Sequence, residues 1–381
     1  MTIIDRYMLR QFVRTFILCY ISLAGLYIVF DAFIHMEDFL RFGDKVGGGV
    51  GLLRLLGSYY GYRMILFFDR TSALLTLISA MFTVTWIQRH NELTALLSAG
   101  ISRVRVVAPI IAAAVSLSLA AVAVREVVIP RLANELSRVP SDLLGDQGRS
   151  LSKGRYDNQT DIYIRGMNTY ANQRRIEKPE FLLPQGLDGY GSQLSADNAY
   201  YQPPEKDRPG GYLMQGVRDP KGLPQQASLE LAGTPVIITP RDAPWLAADQ
   251  CFVVSDLDFD QLIGGQTFRQ FSSTRQLIAG LYNRSLDYGA DIRVEVHCRI
   301  VQPLLDVTLL FLGLPLVLTR QSRNVFLAIG LCLLVVALFL LIVIGFKQLG
   351  VQQLLRPALA AWAPLMLFAP LAVYMAESMW E

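Results

Sequence analysis

Apolar residues cluster in six long stretches of the chain, three before and three after a polar middle. An α-helix needs about 20 residues, at 1.5 Å per residue, to cross a hydrocarbon core about 30 Å thick. Each stretch is close to that length, so the pattern predicts six transmembrane helices arranged as three plus three. The predicted spans cover residues 11–34, 62–88, 104–128, 300–318, 325–346 and 358–376.

The middle of the chain lacks the helical period and contains short runs of alternating or β-branched residues. Turn signals such as Pro203-Pro204 and Asp219-Pro220 separate these runs. The runs lie at 161–165, 199–201, 211–214, 228–231, 236–239 and 251–254. They predict a small antiparallel β-sandwich or jelly roll. The expected fold class is therefore an α-helical membrane protein of six transmembrane helices with an inserted all-β, jelly-roll-like domain.

The pattern divides the chain into four expected parts. Residues 1–130 form transmembrane helices 1–3, residues 131–271 the β domain, and residues 300–381 transmembrane helices 4–6. Residues 272–299 connect the last two parts through an amphipathic helix. Ser272 and Ser273 are the candidate N-caps of that helix because serine hydroxyls accept hydrogen bonds from first-turn amides.

Composition supports this division and excludes several classes of protein. Of the 381 residues, 52% are hydrophobic and 18% are charged, whereas about a quarter of the residues of a soluble domain are charged. Eleven of the eighteen prolines lie within residues 131–299, so the chain is neither one soluble domain nor a purely membrane-embedded bundle. A net charge of +3 is too small and too dispersed for a nucleic-acid binder.

Six crossings place both termini on one side of the membrane and the β domain on the other. Loops and helix ends on the cytoplasmic side of a membrane protein carry more Lys and Arg than those on the outer side. If the N-terminus is cytoplasmic, the inner segments have eight such residues and the short outer loops have six, which favours that orientation by a small margin. The inner group is Arg6, Arg10, Arg14, Arg89, Arg103, Arg105, Arg320 and Arg323, and the outer group is Arg41, Lys45, Arg54, Arg63, Lys347 and Arg356. A cleaved signal peptide fits poorly, since the only small-x-small site, Ser22-Leu23-Ala24, follows a short apolar run.

The motifs of several chemistries are missing from the sequence. The three histidines, His35, His90 and His297, are far apart, so no metal site is expected. The glycines of residues 47–51 lack the Lys-Ser/Thr pair of a phosphate-binding loop. We therefore expect no cofactor, no catalytic residues and no ATPase site. Cys251 and Cys298 both fall on the expected exported side, where a disulfide or two buried thiols are chemically feasible.

A short amphipathic segment, residues 89–102, joins spans 2 and 3 on the expected cytoplasmic side. Its apolar residues recur at helical spacing, Glu92 stands in the first turn, and Gly100 is placed to end the helix. The apolar residues are Leu93, Leu96, Leu97 and Ile101. One reading is a turn that lies on lipid. The other is a coupling helix, with an apolar face that docks in a soluble partner and with Glu92 paired to a basic side chain there.

Four cations, Arg63, Arg70, Arg125 and Lys347, fall near the outer membrane boundary in this topology. Charges at membrane depth are costly and usually face protein or water. Together they form a candidate site for the phosphorylated head group of a glycolipid. Alternatively, each extends to lipid head groups or pairs with a local acid. Asp306, in span 4 after Pro303, is expected to pair with one of these cations and not to carry a proton.

Several segments resemble the LptF/LptG permease family, also called YjgP/YjgQ, in the family's order along the chain. Residues 89–102 resemble its coupling helix, residues 293–303 its entry to span 4, and residues 357–364 its start of span 6. The opening Asp5-Arg6-Tyr7 is similar to the LptG type. The resemblance covers the whole three-plus-three layout around a β domain.

The resemblance implies an ABC transporter permease in the bacterial inner membrane that extracts lipopolysaccharide, or a similar glycolipid, from the outer leaflet. It implies three protein partners: an ABC ATPase dimer, a second LptF/LptG-type permease subunit and a periplasmic jelly-roll bridge protein. In such a system Glu92, Leu93, Leu96, Leu97 and Gly100 couple to the ATPase. The alternatives are a membrane-anchored periplasmic scaffold without transport activity, and an intramembrane enzyme, for which polar residues would have to converge at one depth.

Overall fold

The structure is a computed structural model in which the chain forms two compact units. The first comprises Met1–Leu132 and Gly289–Glu381, and the second comprises Ala133–Tyr288. The structure describes residues 3–43, 49–137, 148–151, 154–170, 173–184, 191–205, 208–231, 234–263, 269–283, 289–318 and 325–377.

Among the described residues of the first unit, six helices are long and apolar enough to cross a membrane, which confirms the six predicted spans. Span 2 begins earlier than predicted because its helix continues past the apolar window that reveals it in the sequence. Span 3 consists of a regular helix, a π-helical turn and a final short turn. In order, spans 1–6 are Ile3–Ile34, Gly49–Arg89, Arg103–Arg131, Ala290–Leu318, Val325–Val351 and Pro357–Glu377.

Span 4 is the central helix of this unit. In its most apolar window 56% of the residues are buried, against 6% in span 1 and 17% in span 5. Leu309, Leu312 and Leu314 are almost completely buried and belong to one core with residues of the other spans. Spans 1 and 5 therefore carry most of their apolar surface on the outside of the unit.

Two short helices connect the first three spans. Met36–Gly43 follows span 1, and its Phe39 is buried. Glu92–Ser98 connects spans 2 and 3, and we call it the linking helix.

Where the structure describes the second unit, it contains eleven strands of one antiparallel sheet, which confirms the inserted β domain. The order is β1-β4-β5-β7-β8-β11-β10-β9, with a branch from β7 through β6 and β3 to β2. The bounds of β1–β11 are Arg149–Ser150, Arg155–Asp157, Ile162–Arg165, Asn168–Tyr170, Arg175–Glu177, Glu180–Leu182, Gln193–Gln202, Gly211–Asp219, Leu229–Leu231, Thr234–Ile238 and Gln250–Val254.

All six strand predictions coincide with observed strands, but five strands escaped the sequence analysis. Three of these, β4, β5 and β6, have three residues each with a single buried one in the middle. So short a run gives no detectable alternation. Strand β7 is the longest, and one of its edges pairs with β6 at its start and β5 further along.

The core of the β domain includes Phe181, Tyr212, Phe252 and Cys251, all fully buried. Burial raises the pKa of the Cys251 thiol to about 12, so the thiol stays protonated. All four cysteines are free, and Cys251 and Cys298 form no disulfide. A helix at Thr274–Tyr282 follows the sheet, and Ser273 caps it in a reciprocal capping box with Gln276.

Candidate functional site

The linking helix is bounded by two residues in left-handed backbone conformations. Asn91 precedes it with φ of 59°, and Gly100 follows it with φ of 80°. The Gly100 amide donates to the Leu97 carbonyl and the Ile101 amide to the Leu96 carbonyl. This is a Schellman motif, for which glycine is favoured because it adopts positive φ without strain. The role predicted for Gly100 as the helix stop follows from this geometry.

The apolar side of the linking helix faces the chain's own core. Leu93 is buried, and Leu96, Leu97 and Ile101 pack against the same core. The exposed side consists of Thr94, Ala95, Ser98 and Ala99. A partner that contacts this helix would therefore meet its small and polar side, and the leucines would position the helix.

Glu92 lies at the start of the linking helix and accepts hydrogen bonds from Tyr7. The Tyr7 hydroxyl lies 3.0 Å from one carboxylate oxygen of Glu92 and 3.2 Å from the other. Nearby, the Arg105 guanidinium lies 3.7 Å from the Asp5 carboxylate. The start of span 1, the linking helix and the start of span 3 thus meet at one end of the bundle.

Further along spans 2 and 3 from the linking helix, Arg125 pairs with Asp69. The Arg125 Nε donates to the Asp69 Oδ1 over 2.8 Å, and both side chains are mostly buried. Arg125 lies in the π-helical turn Val124–Val128, a distortion that often occurs at functional sites. Because Arg125 is already paired with Asp69, a glycolipid head group would have to compete with that carboxylate for the guanidinium.

Lys347 is paired as well. Its Nζ lies 2.7 Å from the Glu295 Oε2, and the Arg299 Nε lies 3.1 Å from the Glu295 Oε1. One carboxylate of span 4 is therefore shared by a cation of span 5 and a cation of span 4.

Arg63 and Arg70 occupy one face of span 2, since seven residues are about two helical turns. The Arg63 guanidinium lies 5.2 Å from the centre of the Tyr59 ring, a cation–π distance. Both guanidiniums interact electrostatically with the Tyr27 hydroxyl of span 1. Arg70 is exposed and forms no ion pair with another described residue. Of the four predicted cations, Arg70 has the most accessible charge.

Asp306 differs from the sequence-based expectation that it pairs with a cation. Its Oδ1 accepts a hydrogen bond of 2.8 Å from Gln302, and its Oδ2 accepts one of 3.2 Å from Ser118. Both partners are neutral. Arg125 is paired with Asp69 and Lys347 with Glu295, so, contrary to that expectation, Asp306 forms no ion pair with a described cation.

The sequence analysis missed the roles of two acidic residues. Glu295 pairs with Lys347, and Asp31 accepts a hydrogen bond from Tyr60. Glu295 lies in the first two turns of span 4 and Lys347 in the last two of span 5, so matching depths along antiparallel helices would have found that pair. Likewise, Asp31 near the end of span 1 accepts a 3.1 Å hydrogen bond from the Tyr60 hydroxyl of span 2. In the described part of the chain, no group of three or more His, Cys, Asp or Glu residues could hold a metal ion.

Comparison with known families agrees with this architecture. The model of the family described as lipopolysaccharide export system permease LptF/LptG matches residues 6–378, nearly the whole chain. A search of curated proteins gave no match. Six apolar helices and an inserted antiparallel β domain are the expected parts of such a permease. The chain therefore belongs to the LptF/LptG family and is a multi-pass inner-membrane permease subunit.

Proposed function

We propose that this chain is a permease subunit of an ABC transporter that extracts lipopolysaccharide, or a similar glycolipid, from the outer leaflet of the bacterial inner membrane. The family match over residues 6–378 carries this proposal. A separate ABC ATPase dimer supplies the energy, and a second LptF/LptG-type subunit completes the membrane cavity. The β domain passes the glycolipid to a periplasmic jelly-roll bridge protein.

The proposed orientation has cytoplasmic N- and C-termini and a periplasmic β domain spanning residues 131–271. The arginine-rich start of span 1 supports it. The hydrogen bond between Tyr7 and Glu92 joins the start of span 1 to the linking helix, so in this orientation both lie on the cytoplasmic side. That side would face the ATPase.

The linking helix is the proposed contact with the ATPase. Its exposed side has only small or polar residues, which allow close approach of a partner surface. Glu92 borders that side and provides a negative charge for a basic residue of the partner. Leu93, Leu96 and Leu97 connect the helix to the core, and Gly100 ends it.

Arg70 and Arg63 are the proposed primary contacts with the phosphorylated head group. Guanidinium groups bind phosphate by paired hydrogen bonds. Arg125 and Lys347 are each paired with a carboxylate, Asp69 and Glu295 respectively. They would attract the phosphorylated head group through their electrostatic field, and they would contact it directly only if the glycolipid displaced those carboxylates.

Co-purification with the native ATPase tests the coupling role. Glu92→Lys should reduce ATPase recovery strongly, because it reverses the charge next to the exposed side of the linking helix. Tyr7→Phe is the matched control, since it removes only the internal hydrogen bond to Glu92. Equal losses in both variants would show that Glu92 acts inside the chain and not on the partner.

The scaffold hypothesis predicts a different outcome. A membrane-anchored scaffold without transport activity would bind its periplasmic partner normally when Glu92 is reversed, and glycolipid export would not change. Normal export by Glu92→Lys cells would therefore favour the scaffold and oppose the transporter.

A further inference from the structure

Asp306 lies in a polar cluster in the middle of the helical bundle. The cluster contains Ser72 and Thr76 of span 2, Ser118 of span 3, and Asp306 of span 4. At 1.5 Å per residue, these residues lie about 18–26 Å from the end of the bundle where the linking helix begins. A hydrocarbon core is about 30 Å thick, so the cluster lies within the depth of the membrane, in the half that is away from the linking helix.

The cluster surrounds a small cavity of about 10 Å³, room for about one water-sized particle. Its polar lining is Ser72, Thr76, Ser118 and Asp306, and its apolar lining is Ala73, Ala114, Val307 and Leu310. Hydroxyl and carboxylate oxygens are hard donors, the kind that small hard cations prefer. Among the described lining residues Asp306 is the only carboxylate, and its single negative charge matches a monovalent cation better than a divalent one.

Asp306 forms no ion pair with another described residue. Its two hydrogen-bond partners, Gln302 and Ser118, are neutral. The charged groups that act on it from the adjacent spans are Arg125 and Asp69, and these two are paired with each other. A carboxylate at membrane depth is costly without a counter-charge.

We propose that Asp306, Ser118, Ser72 and Thr76 form a binding site for one small monovalent cation, a proton or Na⁺, in the middle of the membrane unit. A proton from bulk water would add to a carboxylate oxygen of Asp306, and Na⁺ would occupy the cavity among the hydroxyl and carboxylate oxygens. Either cation neutralises the carboxylate where spans 2, 3 and 4 meet. This site is independent of the proposed transport function.

Infrared spectroscopy of the purified full-length chain in lipid nanodiscs tests the proton. A protonated carboxyl has a C=O band apart from that of a carboxylate, and ¹³C-labelled aspartate shifts it. We expect the wild type to show such a band at neutral pH. The band should be absent from the spectrum of Asp306→Asn and should appear at a different frequency in that of Asp306→Glu. Ser118→Ala should also move the band, because it removes the hydrogen bond to the carboxyl.

Ser116→Ala is the matched control on the same helix. Ser116 is exposed and bonds only to the Ala112 carbonyl, so its loss should leave the band in place. Sodium is tested by replacing NaCl with KCl at equal ionic strength. If Na⁺ is the ligand, this exchange lowers the Tm of the wild type by several degrees and leaves that of Asp306→Asn unchanged. A wild type with neither the protonated band nor a sodium-dependent Tm would overturn the proposal.

Discussion

The Nζ of Lys347 lies 2.7 Å from the Oε2 of Glu295, which ties the end of span 5 to the start of span 4. Arg299 lies 3.1 Å from the other oxygen of the same carboxylate. Span 5 is otherwise among the least buried helices of the unit. This contact is therefore a main polar attachment of span 5 to the central helix.

Glu295→Gln should destabilise the membrane unit by about 1–2 kcal/mol. The amide keeps the shape but leaves Lys347 and the buried Arg299 without their shared counter-charge. Thermal unfolding in nanodiscs measures the change. Gln352→Ala, an exposed position beyond span 5, should leave the Tm unchanged, and an equal Tm in both variants would contradict the prediction.

Gly350→Ala should also loosen the packing of span 5. A Cβ at Gly350 would lie 2.5 Å from the Ala360 Cβ and 2.9 Å from the Val294 Cγ2, so spans 4, 5 and 6 would have to move apart. We expect a loss of about 1–3 kcal/mol, typical of overpacking. Gly345→Ala is the control on the same helix, because a Cβ there meets nothing within 4 Å. Unfolding curves that do not separate the two variants would rule out close packing at Gly350.

Arg70→Glu should lower glycolipid crosslinking to span 2 several-fold. The guanidinium is exposed, and reversing its charge repels a phosphorylated head group. A photoreactive group placed next to Arg70 reports the crosslink. Arg103→Glu, at the opposite end of the bundle, is the control. Unchanged crosslinking in a correctly assembled Arg70→Glu protein would remove Arg70 from the proposed site.

Two aspartates of the β domain should respond to pH in opposite directions. Ser228 donates from its backbone and its side chain to Asp242 and lowers the pKa of Asp242 below its ordinary 3.8. The resulting stability is present above pH 3.8 and is lost as the pH falls through the lowered value. Asp242→Asn should therefore weaken hydrogen-exchange protection near Ser228 at pH 7, with little effect at low pH.

Asp260 gives the contrasting case. Partial burial, and then the nearby Asp258 carboxylate, raise its pKa above 3.8. The folded form therefore binds this proton more tightly, and the associated stability is complete below pH 3.8 and lost as the pH rises. Asp260→Asn should increase hydrogen-exchange protection in the surrounding part of the β domain at pH 7, and this increase should become smaller toward pH 4. The same sign of change in both variants would contradict this assignment.

Hydropathy and strand alternation were sufficient to predict the architecture. A membrane span requires about 20 consecutive apolar residues, and a half-buried strand requires alternating apolar and polar residues, so both patterns can be read from the sequence. Leu309 and Leu312 belong to the long apolar run that predicts span 4. Cys251 to Val254 belong to a short apolar run that predicts a buried strand, and all four are buried in strand β11. Strands such as Arg175–Glu177 were missed because their pairing with β7, and not their own pattern, makes them strands.

The candidate site was less predictable, since charge depends on partners that are distant in sequence. The sequence identified Arg125 and Lys347 as membrane-depth cations and left pairing with a local acid open, but it did not identify Asp69 and Glu295 as those acids. It also assigned Asp306 a cation with which it forms no ion pair. The sequence also identified the apolar side of residues 92–101, but both readings of that side placed it against something outside the chain, lipid or a soluble partner. In the structure that side packs on the chain's own core.

The leucines of the linking helix have a mechanical consequence. Because Leu93 is buried in the core and Leu96 and Leu97 pack against it, the helix resembles a short lever with its base attached to the bundle. A partner pressing on Thr94 or Ser98 would not bend a loose loop. It would displace the ends of spans 1, 2 and 3 together, so a small movement outside the membrane would become a tilt of whole helices within it.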